Sequence, residues 1–139
     1  WQADYDGGRL ILADRYTTSN AYHQLEKMPK DKWDEYLAWL EDFEYVKLGI
    51  PKPDFVVYLD MPIDVSQTLM SLRSEKTGEK KDVHEADVEY LYRCREAAMY
   101  AAEKMGWTVI TCAENGEPYS IAEIHEMIVK ALPQEFIYA

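Results

Sequence analysis

The sequence predicts an α/β protein with a parallel sheet, and three observations support this prediction. Short apolar runs bounded by turn residues indicate buried strands, amphipathic stretches between them indicate helices, and polar residues follow directly after the runs. Strands that alternate with helices form parallel sheets through right-handed crossovers. Such sheets bind ligands at the carboxyl ends of their strands, so the residues after each run are candidate site residues.

Three apolar runs are predicted strands: Arg9 to Ala13, Phe55 to Leu59 and Trp107 to Thr111. The second run is short, continuous and rich in β-branched and aromatic residues, which indicates a central parallel strand. The candidate residues at the carboxyl ends of the three runs are Asp14, Arg15, Asp60, Cys112 and Ala113.

Helices are predicted where apolar residues recur every three or four positions. They run from near Ser19 to Met28, from Lys32 to Leu48, through Val65, Leu69 and Leu72, from Val88 to Met105, and from Ser120 to Leu132. Gly49 and Gly106 follow two of these stretches and are typical of helix ends. The charged stretch from Arg73 to Asp82, with Gly78 in its middle, is predicted to be a mobile loop.

Composition limits the class of protein. With 139 residues, 47% of them hydrophobic and 13% aromatic, the chain fits one folded domain. A formal charge of −11 argues against nucleic-acid or anionic-membrane partners. The 2 cysteines are too far apart for a redox or metal motif, so we expect reduced thiols in a cytoplasmic protein. No apolar run approaches the roughly 18 residues of a membrane span.

The most specific pattern is Asp14-Arg15-Tyr16-Thr17-Thr18-Ser19-Asn20 after the first predicted strand. An isolated Asp-Arg pair would more often be a surface ion pair or a helix cap. The segment resembles the Asp-Arg-Tyr motif of thymidylate kinases, and the runs from Gly8 to Ala13 and from Pro53 to Asp60 resemble the adjoining strands. The resemblance implies a P-loop kinase-like three-layer fold without its first two strands. Residues 1–139 would then be the C-terminal portion of one nucleoside-monophosphate kinase domain.

The resemblance implies roles for the motif residues. Arg15 and Asp14 would both be catalytic residues. Arg15 would bind the acceptor phosphate through its planar guanidinium. Asp14 would be the metal-binding residue and would orient either that phosphate or a water on Mg²⁺. Tyr16, Ser19 and Asn20 would contact the substrate, the Asn20 amide at the edge of thymine. An ordinary helix-start residue is the alternative for Asn20.

His23 departs from the family pattern, in which this position is aromatic and packs near the sugar. The imidazole could stack in the same way, which makes His23 a substrate-binding candidate. A lone histidine on a helix is otherwise more often an exposed or core residue.

Residues 73–85 resemble the lid of these kinases, which closes over ATP and the acceptor. The resemblance implies that Arg73 takes part in catalysis and in cofactor binding. It implies that Lys80 and Lys81 bind the cofactor. Asp82, His84 and Glu85 are the implied substrate contacts, while Val83 stands where many family members have arginine. A solvated loop without a catalytic role is the alternative.

The end of the third predicted strand lies where related kinases place backbone against adenine. The resemblance therefore makes Ala113 a cofactor-binding candidate. A plain strand-to-helix turn is the alternative.

No G-x-x-x-x-G-K-[ST] sequence occurs in the chain. We therefore expect that residues 1–139 alone neither bind ATP tightly nor transfer phosphate, and that an N-terminal part or another chain supplies the phosphate-binding loop. The expected activity is transfer of the ATP γ-phosphate to dTMP with Mg²⁺, in a homodimer. The alternatives are a kinase for another deoxynucleotide or nucleoside, and a non-catalytic binding module that needs a partner chain.

Overall fold

The computed structural model describes residues 1–77 and 87–137, and within them it is a mixed helical and stranded protein with a small parallel sheet. The helices and strands follow in the order α1 Gln2–Asp6, α2 Thr18–Leu25, α3 Trp33–Glu41, β1 Val57–Asp60, α4 Ile63–Thr77, α5 Val88–Met105, β2 Thr108–Thr111, β3 Ala113–Glu114, β4 Glu117–Pro118, α6 Ile121–Ala131 and α7 Gln134–Ile137. No helix in this part of the chain is long and apolar enough to cross a membrane.

The sheet consists of β1 and β2, which pair in parallel from Val57 opposite Thr108 to Asp60 opposite Thr111. Both strands lie where the apolar runs predict them. Among the described residues β1 pairs only with β2, so it lies at an edge of the sheet and not at its centre. The three-layer arrangement and two absent strands stay predictions.

The predicted strand from Arg9 to Ala13 is wrong. This segment forms no strand, and its apolar side chains Leu10 and Leu12 are 59% and 94% exposed. A strand needs a partner for its backbone N–H and C=O groups, and in the described part of the chain none pairs with this segment. Asp14 and Arg15 therefore follow an unpaired segment and do not end a strand.

The core is a three-helix cluster of α2, α3 and α5. Its fully buried alanines, Ala21 on α2 with Ala97 and Ala101 on α5, lack bulky side chains and allow these helices to pack closely. Trp33 is buried beside them, and its indole N–H donates a hydrogen bond to the Met28 carbonyl at 3.2 Å. This cluster holds α2, and with it the end of the Asp-Arg-Tyr segment.

The predicted helix from Lys32 to Leu48 is confirmed, but it changes geometry along its length. A 3₁₀ turn at Lys30–Lys32 leads into α3, and a π-helical segment, Asp42–Lys47, continues it. The Leu48 N–H donates to the Phe43 carbonyl at 2.9 Å, which is the bond spacing of a π-helix.

The remaining predicted helices are present, with two changes. The helix predicted from near Ser19 to Met28 ends at Leu25, and residues 26–28 form a turn. α5 ends at Gly106, whose φ of 70° is left-handed, and α6 begins with a capping box between Ser120 and Glu123. The loop prediction is wrong for Arg73–Thr77, which belong to α4. Charged residues alone do not end a helix. The rest of the predicted loop lies outside the described residues.

Candidate functional site

Arg15 has an unusual backbone. Its φ is 64°, in the left-handed region that non-glycine residues rarely occupy. The residue is exposed, and its guanidinium makes no hydrogen bond or ion pair with any residue in 1–77 or 87–137. Residues in such strained conformations cluster at binding sites. The side chain is therefore available to an external anion.

Asp14, beside Arg15, is also exposed and has no ion pair within the described ranges. No group of three or more His, Cys, Asp or Glu residues that could hold a metal ion occurs in that part of the chain. A single carboxylate matches the way Mg²⁺ is commonly bound in phosphoryl-transfer sites, where substrate phosphates and water supply most ligands.

Two hydrogen bonds attach the segment after Arg15 to the region around the π-helical segment. The Tyr16 hydroxyl donates to the Pro51 carbonyl at 3.0 Å, and the Thr17 and Tyr45 hydroxyls lie 3.0 Å apart. Burial, and then the neighbouring Tyr45 and Glu44, raise the pKa of Tyr16. Tyr16 thus holds the segment in place, and whether it also touches a substrate stays a prediction.

Asn20 lies on the first turns of α2 and reaches the same region. Its Nδ2 donates a hydrogen bond to Oε1 of Glu44 at 3.0 Å. Glu44 is 7% exposed, whereas Asn20 is exposed. The amide is therefore held on its buried side by a carboxylate and open on its outer side.

His23, one turn after Asn20, points to α5. Its Nδ1 lies 2.9 Å from the Tyr90 hydroxyl and 3.9 Å from the Cys94 Sγ, and its ring lies beside that of Tyr22. Burial, followed by the contact with Cys94, raises the pKa of Tyr90 to about 12. Ser19 lies nearby, with its hydroxyl 3.5 Å from that of Tyr22. His23 is thus part of a packed aromatic cluster.

The second and third predicted strands, which are β1 and β2, place their carboxyl ends side by side as predicted. Asp60 ends β1 beside Thr111 of β2, and the Cys112 N–H donates to the Asp60 carbonyl at 2.9 Å. Asp60 is 5% exposed and is paired with Arg95 of α5.

Ala113 is buried at the start of a short hairpin, β3–β4, and not in a plain turn before α6. The hairpin is closed by Asn115 and Gly116, with φ values of 51° and 84°. Asn-Gly is the strongest short-range signal for such a turn, so the sequence contained this information. The proposed contact of Ala113 with adenine stays a prediction.

The lid residues are only partly described. Arg73 lies on the last turns of α4 and is exposed. Lys80, Lys81, Asp82, His84 and Glu85 lie outside the described residues, as does Val83.

A cleft of about 480 Å³ between α3 and α5 contains none of the predicted site residues. It is lined by large side chains that include Trp33, Tyr100 and Trp107.

Sequence reasoning missed Glu44 and Arg95. Glu44 follows Leu37 and Leu40 at helical spacing on the buried face of the predicted helix, so a carboxylate at that position was the signal. A buried carboxylate requires a partner, which makes such a position worth attention. Arg95 carries the same signal, because it lies between Leu91 and Met99 at helical spacing on the apolar stripe of α5.

Comparison with known proteins adds sequence relatives. The thymidylate kinase of Mycobacterium tuberculosis, in two strains, is 29% identical over 103 residues, which are 73% of this chain and 47% of that protein. A probable thymidylate kinase of Thermococcus gammatolerans is 31% identical over 132 residues, 95% of this chain and 55% of that protein. The predicted resemblance to thymidylate kinases is confirmed. No protein-family model matches the chain.

The chain spans about half the length of the thymidylate kinases it matches. Its resemblance to the Thermococcus protein extends over nearly all of its own residues, so the Asp-Arg-Tyr segment, the sheet and α5 fall within one continuous region of similarity.

Proposed function

We propose that this chain provides the acceptor site and part of the lid of a thymidylate kinase, which transfers the γ-phosphate of ATP to dTMP and produces dTDP. The observation that carries the proposal is Arg15, which has a left-handed backbone and an unpaired, exposed guanidinium within the described residues. The thymidylate kinase relatives support the same activity.

Phosphoryl transfer between nucleotides needs positioning and charge neutralisation more than a general base, because the attacking phosphate oxygen is already ionised. A guanidinium can donate two parallel hydrogen bonds to phosphate oxygens. Arg15 would bind the dTMP phosphate in this way, in a conformation that Tyr16 and Thr17 hold through their bonds to Pro51 and Tyr45.

Asp14 would hold Mg²⁺ through a water molecule, and the ion would neutralise charge on the phosphates when bound. The exposed carboxylate has no competing ion pair within the described ranges, which fits this role. Ser19, Asn20 and His23 would line the nucleoside part of the same site, since all three lie on α2.

The donor side of the site rests on the resemblance. Arg73 lies on α4, in the segment that resembles the lid, and with Lys80 and Lys81 it would approach the ATP phosphates, with Ala113 near adenine. Asp82, His84 and Glu85 would contact the acceptor. The phosphate-binding loop has to come from outside these 139 residues. A homodimer and a cytoplasmic location are part of this proposal.

A binding module that keeps the acceptor pocket without phosphoryl transfer is the second candidate. The absence of a G-x-x-x-x-G-K-[ST] sequence from the 139 residues favours it.

The acceptor assignment is tested by titrating dTMP and thymidine into the wild type and Arg15→Ala, with calorimetric detection. We expect the wild type to bind dTMP more tightly than thymidine, and Arg15→Ala to weaken dTMP binding at least about tenfold while leaving thymidine unchanged.

The matched control is Arg9→Ala, which removes an exposed arginine of the same region that pairs with Asp4 at 2.5 Å. It should bind dTMP like the wild type. Equal dTMP affinity of Arg15→Ala and Arg9→Ala would overturn the proposal.

A further inference from the structure

Glu44 is a buried carboxylate whose hydrogen bond reaches the candidate nucleoside site. It is 7% exposed and lies in the π-helical segment Asp42–Lys47. Its Oε1 accepts from Asn20 Nδ2 at 3.0 Å, and no salt bridge to Glu44 exists among the described residues. Among the described residues, this buried carboxylate thus has one side-chain hydrogen-bond partner, the amide of the exposed Asn20.

Three tyrosines and the π-helical segment form the surroundings of Glu44. Tyr16, Tyr36 and Tyr45 are close enough that the Glu44 charge, after burial, contributes to raising the pKa of each of them. The π-helical geometry is itself fixed by the bond from the Leu48 N–H to the Phe43 carbonyl. Carboxylates are almost never buried unless they are paired, so the bond to Asn20 is the partner that this position requires.

The bond decides which way the Asn20 amide faces. A carboxylate only accepts hydrogen bonds, so the amide must present its NH₂ group to Glu44, and the opposite orientation would set two acceptors against each other. The Asn20 Oδ1 accepts no hydrogen bond from any residue in the described ranges, and Asn20 is exposed. An acceptor on α2 is therefore held open towards solvent.

We propose that Glu44 is a positioning residue that fixes the Asn20 amide with its Oδ1 towards the nucleobase, and so selects bases that present a ring N–H. This inference rests on the proposed function, which places the nucleoside beside α2. Thymine and uracil carry a donor at N3, whereas cytosine carries an acceptor there. The Oδ1 of a fixed Asn20 would accept a hydrogen bond from N3 of thymine or uracil and would repel N3 of cytosine. An amide that is free to turn could suit either kind of base.

The test is the ratio of the dissociation constants of dCMP and dTMP, measured by calorimetry on the wild type and Glu44→Gln. Glutamine has nearly the same shape, but its amide can donate or accept, so Asn20 is no longer fixed. We expect the wild type to prefer dTMP and Glu44→Gln to lose about tenfold of that preference. The matched control Glu35→Gln changes an exposed carboxylate of α3 and should keep the wild-type ratio.

A double-mutant cycle with Asn20→Ala distinguishes positioning from a general structural effect. Asn20→Ala should itself lower the preference, and Glu44→Gln should cause no further change in that background. A preference that survives Glu44→Gln, or that survives Asn20→Ala, overturns the inference alone. A Glu44→Gln effect of equal size with and without Asn20 also overturns it. A wild type that binds neither nucleotide overturns the proposed function together with this inference.

Discussion

Arg95 donates two parallel hydrogen bonds to Asp60, from Nε to Oδ1 at 2.6 Å and from Nη2 to Oδ2 at 2.7 Å. The pair joins α5 to the carboxyl end of β1, and the bonds to Asp60 raise the pKa of Arg95. Asp60 is buried, and Arg95 is its ion-pair partner within the described residues. The carboxyl end of β1 is thus attached to α5 by an ion pair.

Arg95→Met should lower the free energy of unfolding by about 2–3 kcal/mol, because it leaves the Asp60 charge buried without a partner. Urea unfolding followed by circular dichroism measures this loss. Lys104→Met is the control, since Lys104 pairs with Asp34 at 3.1 Å with both side chains substantially exposed, and such pairs contribute under about 1 kcal/mol. Equal stability of the two variants would contradict the prediction.

Arg15→Gly should increase the free energy of unfolding by about 0.5–1 kcal/mol while it weakens dTMP binding. A left-handed conformation costs a non-glycine residue about 1–2 kcal/mol, and the greater freedom of glycine in the unfolded chain offsets part of the relief. Thermal unfolding and dTMP titration measure the two effects. Arg9→Gly is the control, because Arg9 does not have a positive φ, and it should not increase stability. If Arg9→Gly increased stability as much as Arg15→Gly, backbone strain at Arg15 could not explain the gain.

Cys94 and Cys112 should react slowly with iodoacetamide near neutral pH. Both thiols are buried and free, and burial raises the pKa of each, so the reactive thiolate is scarce and inaccessible. Mass spectrometry should show rates at least about tenfold lower in the folded protein than in urea. Equal rates in both conditions would mean that α5 and the end of β2 open freely.

The 139-residue chain should bind dTMP but release no ADP when it is mixed with dTMP, ATP and Mg²⁺. The phosphates of ATP need a loop of backbone N–H groups, and the sequence contains no G-x-x-x-x-G-K-[ST]. A coupled assay for ADP measures this, with the heat-denatured chain as the background. Sustained ADP release that depends on dTMP would show that this prediction is wrong.

The helices could be predicted well because their signals are local. α5 was predicted with its observed limits, since apolar spacing and a final glycine both lie within its own sequence. The segment from Arg9 to Ala13 was predicted wrongly because an apolar run does not reveal whether a neighbour will pair with it. The helical conformation of Arg73–Thr77 could not be predicted from their charge, because long charged side chains suit an exposed helix as well as a loop.

The sequence motif of the candidate site could be predicted, but the long-range contacts that hold its residues in place could not. The segment from Asp14 to Asn20 was found because its residues are adjacent in sequence. The bond from Asn20 to Glu44 spans 24 positions, and that from Arg95 to Asp60 spans 35. Such contacts depend on how α2, α3 and α5 pack together, and one sequence does not contain that arrangement in readable form.

The π-helical segment Asp42–Lys47 also bears on how this protein tolerates insertions and deletions. A π-helical turn holds one residue more per hydrogen-bonded ring than an α-helical turn. The wide turn therefore accommodates one extra residue, and deleting one residue there would let the segment relax to an α-helix while the flanking residues keep their register. The side-chain directions that would change are those within the segment, and Glu44 is one of its residues. In related chains, the length of this segment is therefore as informative as the identity of its residues.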